Sequence, residues 1–320
     1  MEHDALTQKR QLATAPDAAK TLHPTGMPSN SLADIVAYYD TCTADYADWS
    51  RDFHMHFGYW RWGLNPFARE PMLHETTQQL KHLLGVKSTD AWRVADLGCG
   101  VAATTRSLAR TLPHCRFDAV TISPVQVNFA QQLNATDARL GHISKQQVCI
   151  HQRDYTATGF ASESFDAVYA IESACYAKGA DKADFLAEAW RLLKPGGKLV
   201  IIDGFLRRPA TGLFGRLHDW WCKGWAITQM AQIEPSLQAL NAQGFADVRA
   251  HDWSLRMAPS FTHIPVLATT FTLKQLWKNK GQLPAWRWRH IAASYLSVVL
   301  GVQLWRAGYF AVCATKPLSK

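Results

Sequence analysis

The chain has 320 residues, of which 48% are hydrophobic and 19% charged, and its formal net charge is +8. This composition excludes a disordered protein and predicts one large α/β domain with additions, or at most two domains. Charge is unevenly distributed, because residues 206–320 hold 14 Lys and Arg against 4 Asp and Glu. The same segment holds eight of the thirteen tryptophans.

The cysteines and the apolar runs indicate the cellular compartment in which the protein is expected. Residues 1–30 are polar, show no secretory leader and are expected to form a disordered tail. The seven cysteines are scattered without a C-x-x-C pair, and the histidines form no metal-ligand spacing, so we expect a cytoplasmic protein without a metal site. The longest apolar run, 291–305, is too short to span a bilayer.

Residues 31–88 are predicted to form a helical and aromatic cap. A helix is expected over Leu32–Asp52, where apolar residues recur at helical spacing, and another over Met72–Leu84. The aromatic loop Phe53–Trp62 lies between them.

Residues 89–205 alternate between strand and helix patterns, which predicts a mostly parallel sheet with helices on both faces. The expected strands are Trp92–Leu97, Arg116–Ile122, Gln147–His151, Phe165–Ile171 and Lys198–Asp203, and the expected helices are Thr104–Leu112, Val125–Ala135 and Lys182–Leu193. Residues 206–320 are predicted to form a helical lid and the last strand of the core. Its expected elements are helices at Trp220–Ala231, Glu234–Gly244, Phe271–Gly281 and Arg289–Leu304, and a strand at Tyr309–Lys316.

The sequence Val94-Ala-Asp-Leu-Gly-Cys-Gly100 carries the strongest chemical signal. A strand that runs through small residues into a helix lets a ligand approach the backbone N–H groups. The turn lacks the third glycine of a dinucleotide fingerprint, which disfavours a nicotinamide cofactor. Asp96 suits a ligand with a positive amino group, although it could also only brace the loop. Ligands of open α/β sheets bind at the carboxyl ends of the strands, so the ends of the next three strands should join this site.

These motifs resemble the Rossmann-like S-adenosylmethionine-dependent methyltransferases over about residues 90–205. The resemblance implies S-adenosylmethionine as cofactor, with the two glycines cradling its methionine part and the residues after the third strand flanking its adenine. The implied cofactor-binding residues are Asp96, Gly98, Gly100, Thr121, Ser123, Gln126, Asp154, Tyr155 and Ile171.

A narrower resemblance involves the segments after the second and fourth strands. Phe165–Tyr176 resembles the sterol C-methyltransferases, and Val120–Gln126 is similar to tocopherol and terpenoid methyltransferases and cyclopropane-fatty-acid synthases. Many methyltransferases have an acidic residue where Thr121 stands, whereas a Thr is usual in this group and Gln126 can reach the ribose instead.

Two residues are candidates for the chemistry. Glu172 ends the fourth strand, and the resemblance implies that it stabilises or deprotonates a carbocation, although it could instead only bind backbone amides. His56, in the aromatic loop, is an alternative base for oxygen or nitrogen methylation. The expected substrate-binding aromatic residues are Tyr39, Trp60, Tyr176 and Trp220.

We therefore expect C-methylation of an alkene carbon in a prenyl, terpenoid or sterol-like substrate, either with or without a diphosphate. The alternatives are methylation of oxygen or nitrogen in a lipophilic aromatic, cyclopropanation of a lipid, and a non-catalytic binding protein. Five basic residues could bind a phosphate: Arg207, Arg208, Lys223, Arg287 and Arg289. The basic, Trp-rich segment could instead meet a membrane surface, pack in the core or mediate homo-oligomerisation; nucleic acid is not expected.

Overall fold

The computed structural model describes residues 31–318, and its centre is a seven-stranded sheet. The strand order is β3-β2-β1-β4-β5-β7-β6, with β1 to β5 parallel to one another and β7 antiparallel to both neighbours. The strands are β1 (Arg93–Leu97), β2 (Arg116–Thr121), β3 (Val148–Gln152), β4 (Phe165–Ile171), β5 (Leu193–Leu206), β6 (Ala246–Asp252) and β7 (Ala307–Thr315). The predicted α/β fold is confirmed.

Ten helices of more than one turn are found in the described part of the chain. They are α1 (Leu32–Cys42), α2 (Arg69–Leu84), α3 (Ala103–Thr111), α4 (Pro124–Arg139), α5 (Ala183–Leu192), α6 (Gly212–Gly224), α7 (Ile233–Ala242), α8 (Ser254–Phe261), α9 (Ile264–Lys278) and α10 (Ala285–Gly301). None of the helices in residues 31–318 is both long enough and apolar enough to cross a bilayer. The expected disordered tail, residues 1–30, lies outside the described residues.

Each face of the sheet is covered by a separate apolar core. Strands β1, β4 and β5 are buried on both faces, as expected for central parallel strands, and they read as nearly continuous apolar runs. One core includes Phe165, Phe185 and Phe245, and the other includes Phe117 and Tyr169. The two cores hold the carboxyl ends of the strands in fixed positions at one edge.

The structure corrects several predicted elements outside the central sheet. The predicted helix Leu32–Asp52 is broken after Cys42 into short turns. The predicted helix Trp220–Ala231 is wrong in its second half, because α6 ends at Gly224. Beyond that point the chain turns at Ala226, which has φ +55°, and Leu206 N donates to Ala231 O at the end of β5.

Two elements were missed altogether. Strand β6 is an edge strand with the sequence ADVRAHD, and most of its residues are exposed, so it lacks the apolar alternation that marks a half-buried strand. Helix α8 contains Pro259, a residue that usually ends a helical pattern. Helix α9 begins at Ile264, seven residues before its predicted start, with Pro265 in its first turn, where a missing N–H costs no hydrogen bond.

Candidate active site

The turn after β1 is built around Gly98. Gly98 has φ +93°, and its N–H and that of Cys99 both donate to Val120 O at 2.9 Å. A Cβ at position 98 would lie 2.3 Å from Cβ of Ser173, which is itself anchored because its Oγ donates to Leu97 O at 2.6 Å. Only glycine fits this position, and its bare backbone faces a cavity.

Asp96 lies beneath this turn and is buried. Its Oδ2 accepts hydrogen bonds from Thr105 Oγ1 at 2.5 Å and from the Tyr169 hydroxyl at 2.8 Å. Burial raises the pKa of the Asp96 carboxyl to about 6. Because both hydrogen bonds described for the carboxylate go to Oδ2, Oδ1 is available to a positively charged group in the adjoining cavity.

That cavity, which we call the cofactor cavity, has a volume of about 350 Å³. Eight of the nine predicted cofactor-binding residues line it: Asp96, Gly98, Gly100, Thr121, Gln126, Asp154, Tyr155 and Ile171. Thr121 Oγ1 donates to Gln126 Oε1 at 2.5 Å, which leaves the amide nitrogen of Gln126 as a donor beside the cavity. The Tyr155 hydroxyl donates to Ser173 O at 2.9 Å, so its ring is held in place.

Ser123 is the exception and does not line the cavity. Its Oγ accepts from Gln126 N at 3.0 Å, as the N-cap of α4, and donates to Asp40 Oδ1 at 2.5 Å. The residue therefore holds α1 over the end of β2 and acts on the cofactor cavity indirectly.

Replacing Ser123 by alanine removes both the N-cap and the contact with Asp40. We expect a loss of about 1–2 kcal/mol in the free energy of unfolding, measured by chemical denaturation. Ser31→Ala is the matched control, because Ser31 caps α1 with its own side chain and its side-chain hydrogen bonds within residues 31–318 are all to Asp34 of the same helix. An equal loss in both variants would show that the contact with Asp40 contributes nothing.

A second cavity, which we call the substrate cavity, has a volume of about 450 Å³ and lies under α6, α9 and α10. Its wall is mainly apolar and aromatic, and among the described residues that line it there is no Lys or Arg. Five residues line both cavities and mark their boundary: Tyr39, Met55, His56, Glu172 and Tyr176. The Tyr39 hydroxyl donates to the Tyr176 hydroxyl at 2.8 Å, and Tyr176 donates to Trp225 O at 3.0 Å.

Glu172 is the acidic residue at this boundary. It follows β4 with a positive φ of +48°, an uncommon conformation for a residue with a side chain. Its Oε1 accepts from Phe57 N at 2.7 Å and from the Tyr309 hydroxyl at 2.5 Å. Burial raises the pKa of the Glu172 carboxyl to about 8, against the opposing effect of these two donors. A positive charge in either cavity favours the ionised form and lowers that pKa.

His56 lies at the same boundary but does not fit the predicted role of a base near neutrality. Its Nδ1 lies 2.9 Å from Phe57 O, and its Nε2 lies 3.1 Å from Thr104 Oγ1 and 3.0 Å from His54 Nδ1. Burial lowers the pKa of His56 to about 4. Since a carbonyl can only accept, Nδ1 carries the proton and Nε2 accepts, so the ring is neutral and both nitrogens are engaged.

Two polar residues that line the substrate cavity were not predicted from the sequence. Tyr309, on β7, donates to Glu172 across the sheet edge. Asp203, in β5, accepts from Cys175 N at 3.0 Å and Gly204 N at 2.8 Å, and burial raises its pKa to about 6. The sequence signal that identified Glu172, a carboxylate after an apolar strand, also applies to Asp203. No pattern in the residues around Tyr309 indicates a role in the site.

Two predicted substrate residues lie elsewhere. Trp60 lines neither cavity, and its indole donates to Leu64 O at 2.9 Å within its own loop. Trp220 lies on the outer side of α6 with 40% of its surface exposed, while its neighbour Trp221 and also Trp225 face the substrate cavity. A helix turns by 100° per residue, so a shift of one position along α6 moves a side chain from the outer side of the helix to the side that lines the cavity.

None of the five basic residues considered for a phosphate lines either cavity. Arg207 pairs with Asp252 at 2.5 Å, and Arg287 pairs with Asp45. Arg208 and Lys223 are exposed. Arg287 is buried in its pair with Asp45, so none of these residues offers its positive charge to a ligand in either cavity.

The cofactor cavity fits S-adenosylmethionine in its shape and in its donor set. It combines a side-chain-free backbone at Gly98, a buried carboxylate oxygen at Asp96 for an amino group, and an amide donor at Gln126 whose nitrogen makes a long contact, 3.9 Å, to Met55 Sδ. The boundary residue Glu172 favours a positive charge beside it.

Comparison with known proteins identifies the methyltransferase family that the sequence motifs resemble. A family model described as a methyltransferase domain matches residues 95–201. The chain is 30% identical to the O-methyltransferase resE of Aspergillus sclerotiorum over 229 residues, which cover 70% of this chain and 78% of the relative. It is 29% identical to the chloroplastic tocopherol O-methyltransferase of Arabidopsis thaliana over 194 residues, covering 58% of this chain and about half of the relative, 52%. It is 27% identical to cycloartenol-C-24-methyltransferase 1 of Oryza sativa subsp. japonica, covering 72% and 67%.

Solved structures share the fold at lower identity. The [4+2]-cyclase SpnF superposes with a TM-score of 0.73 at 23% identity, over 92% of this chain and all of that one. Geranyl diphosphate C-methyltransferase from Streptomyces coelicolor A3(2) superposes with a TM-score of 0.66 at 18% identity, over 92% of this chain and all of that one. The domain match, the fungal relative and the cofactor cavity together establish that this chain belongs to the class I S-adenosylmethionine-dependent methyltransferases.

Proposed function

We propose that the enzyme methylates an alkene carbon of a lipophilic, terpenoid or sterol-like substrate, and that the substrate carries no diphosphate. The carboxyl of Glu172, set between the two cavities and held by Phe57 N and the Tyr309 hydroxyl, is the observation that carries the proposal. A carboxylate at this point is suited to a reaction in which positive charge develops on the substrate.

The charge of the substrate cavity argues for a substrate without an anionic group. Four carboxylates line it, from Asp45, Asp48, Glu172 and Asp203, and no Lys or Arg does so among the described residues. Asp45 and Asp48 are paired with Arg287 and Lys274 outside the cavity wall. A diphosphate that enters this cavity without a metal ion would lose its hydration and would find no Lys or Arg among the described lining residues, which is unfavourable.

S-adenosylmethionine supplies an electrophilic methyl group when it is bound. In the proposed reaction the alkene π electrons form the new carbon–carbon bond as the S–CH3 bond breaks and its electrons return to sulfur. S-adenosylhomocysteine is the leaving group, and a carbocation remains on the neighbouring substrate carbon. The ionised Glu172 carboxylate stabilises this cation and then accepts a proton from an adjacent carbon, whose C–H electrons restore a double bond. Tyr309 and Phe57 N hold the carboxylate in position throughout.

The aromatic wall contributes a second stabilising effect. Tyr39 and Tyr176 lie at the boundary, and Trp221 and Trp225 lie deeper in the substrate cavity. Aromatic faces attract a cation by about 0.5–2 kcal/mol each where water is excluded. The faces of these aromatic rings do not attract an anion. They therefore also favour a substrate without an anionic group.

The test is to incubate the enzyme with methyl-labelled S-adenosylmethionine and matched pairs of lipophiles. Each pair holds an alcohol and its diphosphate, such as geraniol and geranyl diphosphate, with sterols and quinols added. Mass spectrometry locates the label. We expect label on carbon in an uncharged substrate and no product from the diphosphate. Preferential methylation of the diphosphate would contradict the proposal.

O-Methylation of a lipophilic phenol is the second candidate, because the relative that establishes the family is named as an O-methyltransferase. In that reaction the phenol oxygen forms the bond to the methyl group as the S–CH3 bond breaks and its electrons return to sulfur, and the phenol proton passes to the Glu172 carboxylate. His56 is a poor acceptor for this proton, because burial lowers its pKa to about 4 and both of its nitrogens lie at hydrogen-bond distance from other groups. Label on oxygen in a quinol product would favour this candidate over C-methylation.

The charge on Glu172 predicts how cofactor affinity depends on pH. Its carboxyl ionises with a pKa of about 8 in the free enzyme, so a cationic ligand in the cofactor cavity should bind more tightly as the pH rises through that value. We expect the Kd of S-adenosylmethionine to fall by roughly tenfold across this range relative to that of S-adenosylhomocysteine, which has no sulfonium. Calorimetric titrations with both ligands measure the ratio. A constant ratio would contradict the prediction, and Glu172→Gln should make it constant.

A further inference from the structure

The antiparallel pair of helices α9 and α10, which we call the lid hairpin, has an exposed outer face that is apolar along both helices. On α9 this face presents Val266, Leu273 and Trp277, the last with 88% of its surface exposed. On α10 it presents Trp288, Tyr295 and Val299. The residues recur at spacings of seven and four, so each set forms one stripe along its helix.

The two stripes lie side by side. Thr269 of α9 and Tyr295 of α10 are both exposed, and their hydroxyl oxygens are 2.7 Å apart. The antiparallel arrangement therefore places Trp277 and Trp288 toward the loop end of the hairpin and Val266 and Val299 toward its other end. Such a continuous exposed apolar surface is unusual for a protein with no partner.

The lid hairpin itself carries charge of only one sign. Residues 253–318 contain eight Lys and Arg and no Asp or Glu. Lys274 is paired with Asp48 and Arg287 with Asp45. Lys278 and Lys280 at the loop end are exposed, and no acidic side chain within residues 31–318 pairs with them. Exposed tryptophans with lysines beside them suit the boundary between an anionic headgroup layer and its acyl chains.

Part of the wall of the substrate cavity is exposed at the other end of the same hairpin. Thr262, Gly301 and Val302 line that cavity and are exposed, Val302 by 67%. They stand just before α9 and at the end of α10, within four residues of Val266 and Val299. These exposed residues of the cavity wall therefore adjoin the apolar face.

We propose that the lid hairpin docks on an anionic lipid bilayer, with its tryptophans at the headgroup boundary and its lysines on the anionic lipids. A lipophile dissolved in the bilayer then enters the substrate cavity at Val302 without crossing water. That route rests on the proposed function, whereas the docking depends only on the outer face of the hairpin.

The test is co-sedimentation of the full chain with vesicles of phosphatidylcholine alone and of phosphatidylcholine mixed equally with phosphatidylglycerol. We expect binding to the mixed vesicles that weakens as salt is added, because exposed charges are screened. Lys278→Gln with Lys280→Gln should lower the partition coefficient roughly tenfold. Leu273→Ser with Trp277→Ser should lower it at least as far, through lost apolar burial.

Leu318→Ser is the matched control, since Leu318 is similarly exposed but lies beside Gly196, at the amino end of β5 and far from the lid. It should leave the partition coefficient unchanged. Equal loss in the control and the hairpin variants, or no binding to the mixed vesicles, would overturn the proposal. So would a dimer in sedimentation equilibrium that the hairpin variants dissociate, because the face would then be covered by a second copy. None of these readouts requires turnover, so failure of the proposed reaction leaves the test intact.

Discussion

Replacing Glu172 by glutamine is expected to lower kcat by on the order of a hundredfold or more, the range of a positioned general base. Glutamine keeps an oxygen that can accept from Phe57 N and the Tyr309 hydroxyl, so the fold and the boundary between the cavities should remain. Because the pKa of the Glu172 carboxyl is about 8, this group is mostly protonated at neutral pH in the free enzyme. The uncharged amide of glutamine resembles this protonated form. The Kd of S-adenosylmethionine at neutral pH should therefore change little, as calorimetry would show.

The matched control is Glu188→Gln. Glu188 is also buried and accepts a backbone N–H, from Thr158, but it lines neither cavity. This variant is expected to lose stability through its broken pair with Arg191 while keeping its kcat at temperatures where it is folded. Wild-type turnover in Glu172→Gln would refute the proposed role and leave the residue as a brace for the aromatic loop.

Replacing Gly98 by alanine is the second change with a large expected effect. The positive φ costs about 1–2 kcal/mol for a residue with a Cβ, and the clash with Ser173 adds about 1–3 kcal/mol. Ser173 cannot move aside without breaking its hydrogen bond to Leu97 O. We expect a lower melting temperature and a Kd for S-adenosylmethionine raised at least tenfold, because any relief of the clash shifts the turn that lines the cofactor cavity.

Gly141→Ala separates the two causes. Gly141 also has a positive φ, +74°, but an added Cβ there meets no atom within 4 Å. This variant should show only the backbone cost and leave cofactor affinity as in the wild type, by differential scanning calorimetry and titration. If Gly98→Ala binds the cofactor as tightly as Gly141→Ala does, the turn at position 98 is not part of the cofactor site.

The sheet could be predicted from the sequence because its central strands are buried on both faces. Apolar runs such as Phe165–Ile171 are long enough to mark a strand, and the glycines and Pro124 mark the turns between strand and helix. The lid could not be predicted as well, since its helices bury only one side each. Leu213 and Trp277 are apolar yet exposed, so the apolar pattern no longer reports which face is inside. That is also why Trp220 was chosen in place of Trp221.

The cofactor cavity was predictable for a similar reason. Its residues stand at the ends of consecutive parallel strands, which topology alone brings together, so Asp96, Thr121 and Asp154 could be grouped from the sequence. The substrate cavity depends on contacts between distant segments. Tyr309 is 137 residues from Glu172, and its hydroxyl reaches the carboxyl only because β7 enters the sheet antiparallel beside β5. No spacing rule connects two such positions.

The position of β7 late in the sequence also affects how the enzyme folds during its synthesis. At a synthesis rate of about 5–20 residues per second, roughly 7 to 27 seconds separate the appearance of Glu172 from that of Tyr309, 137 residues later. From the completion of β5 at Leu206 until β7 appears, the apolar edge of β5 has no neighbour on the β7 side. A ribosome that stalls before β7 therefore leaves a chain whose cofactor turn is complete but whose open strand edge invites aggregation. The nascent chain thus needs chaperones most before β7, the last strand in the sequence, pairs with β5.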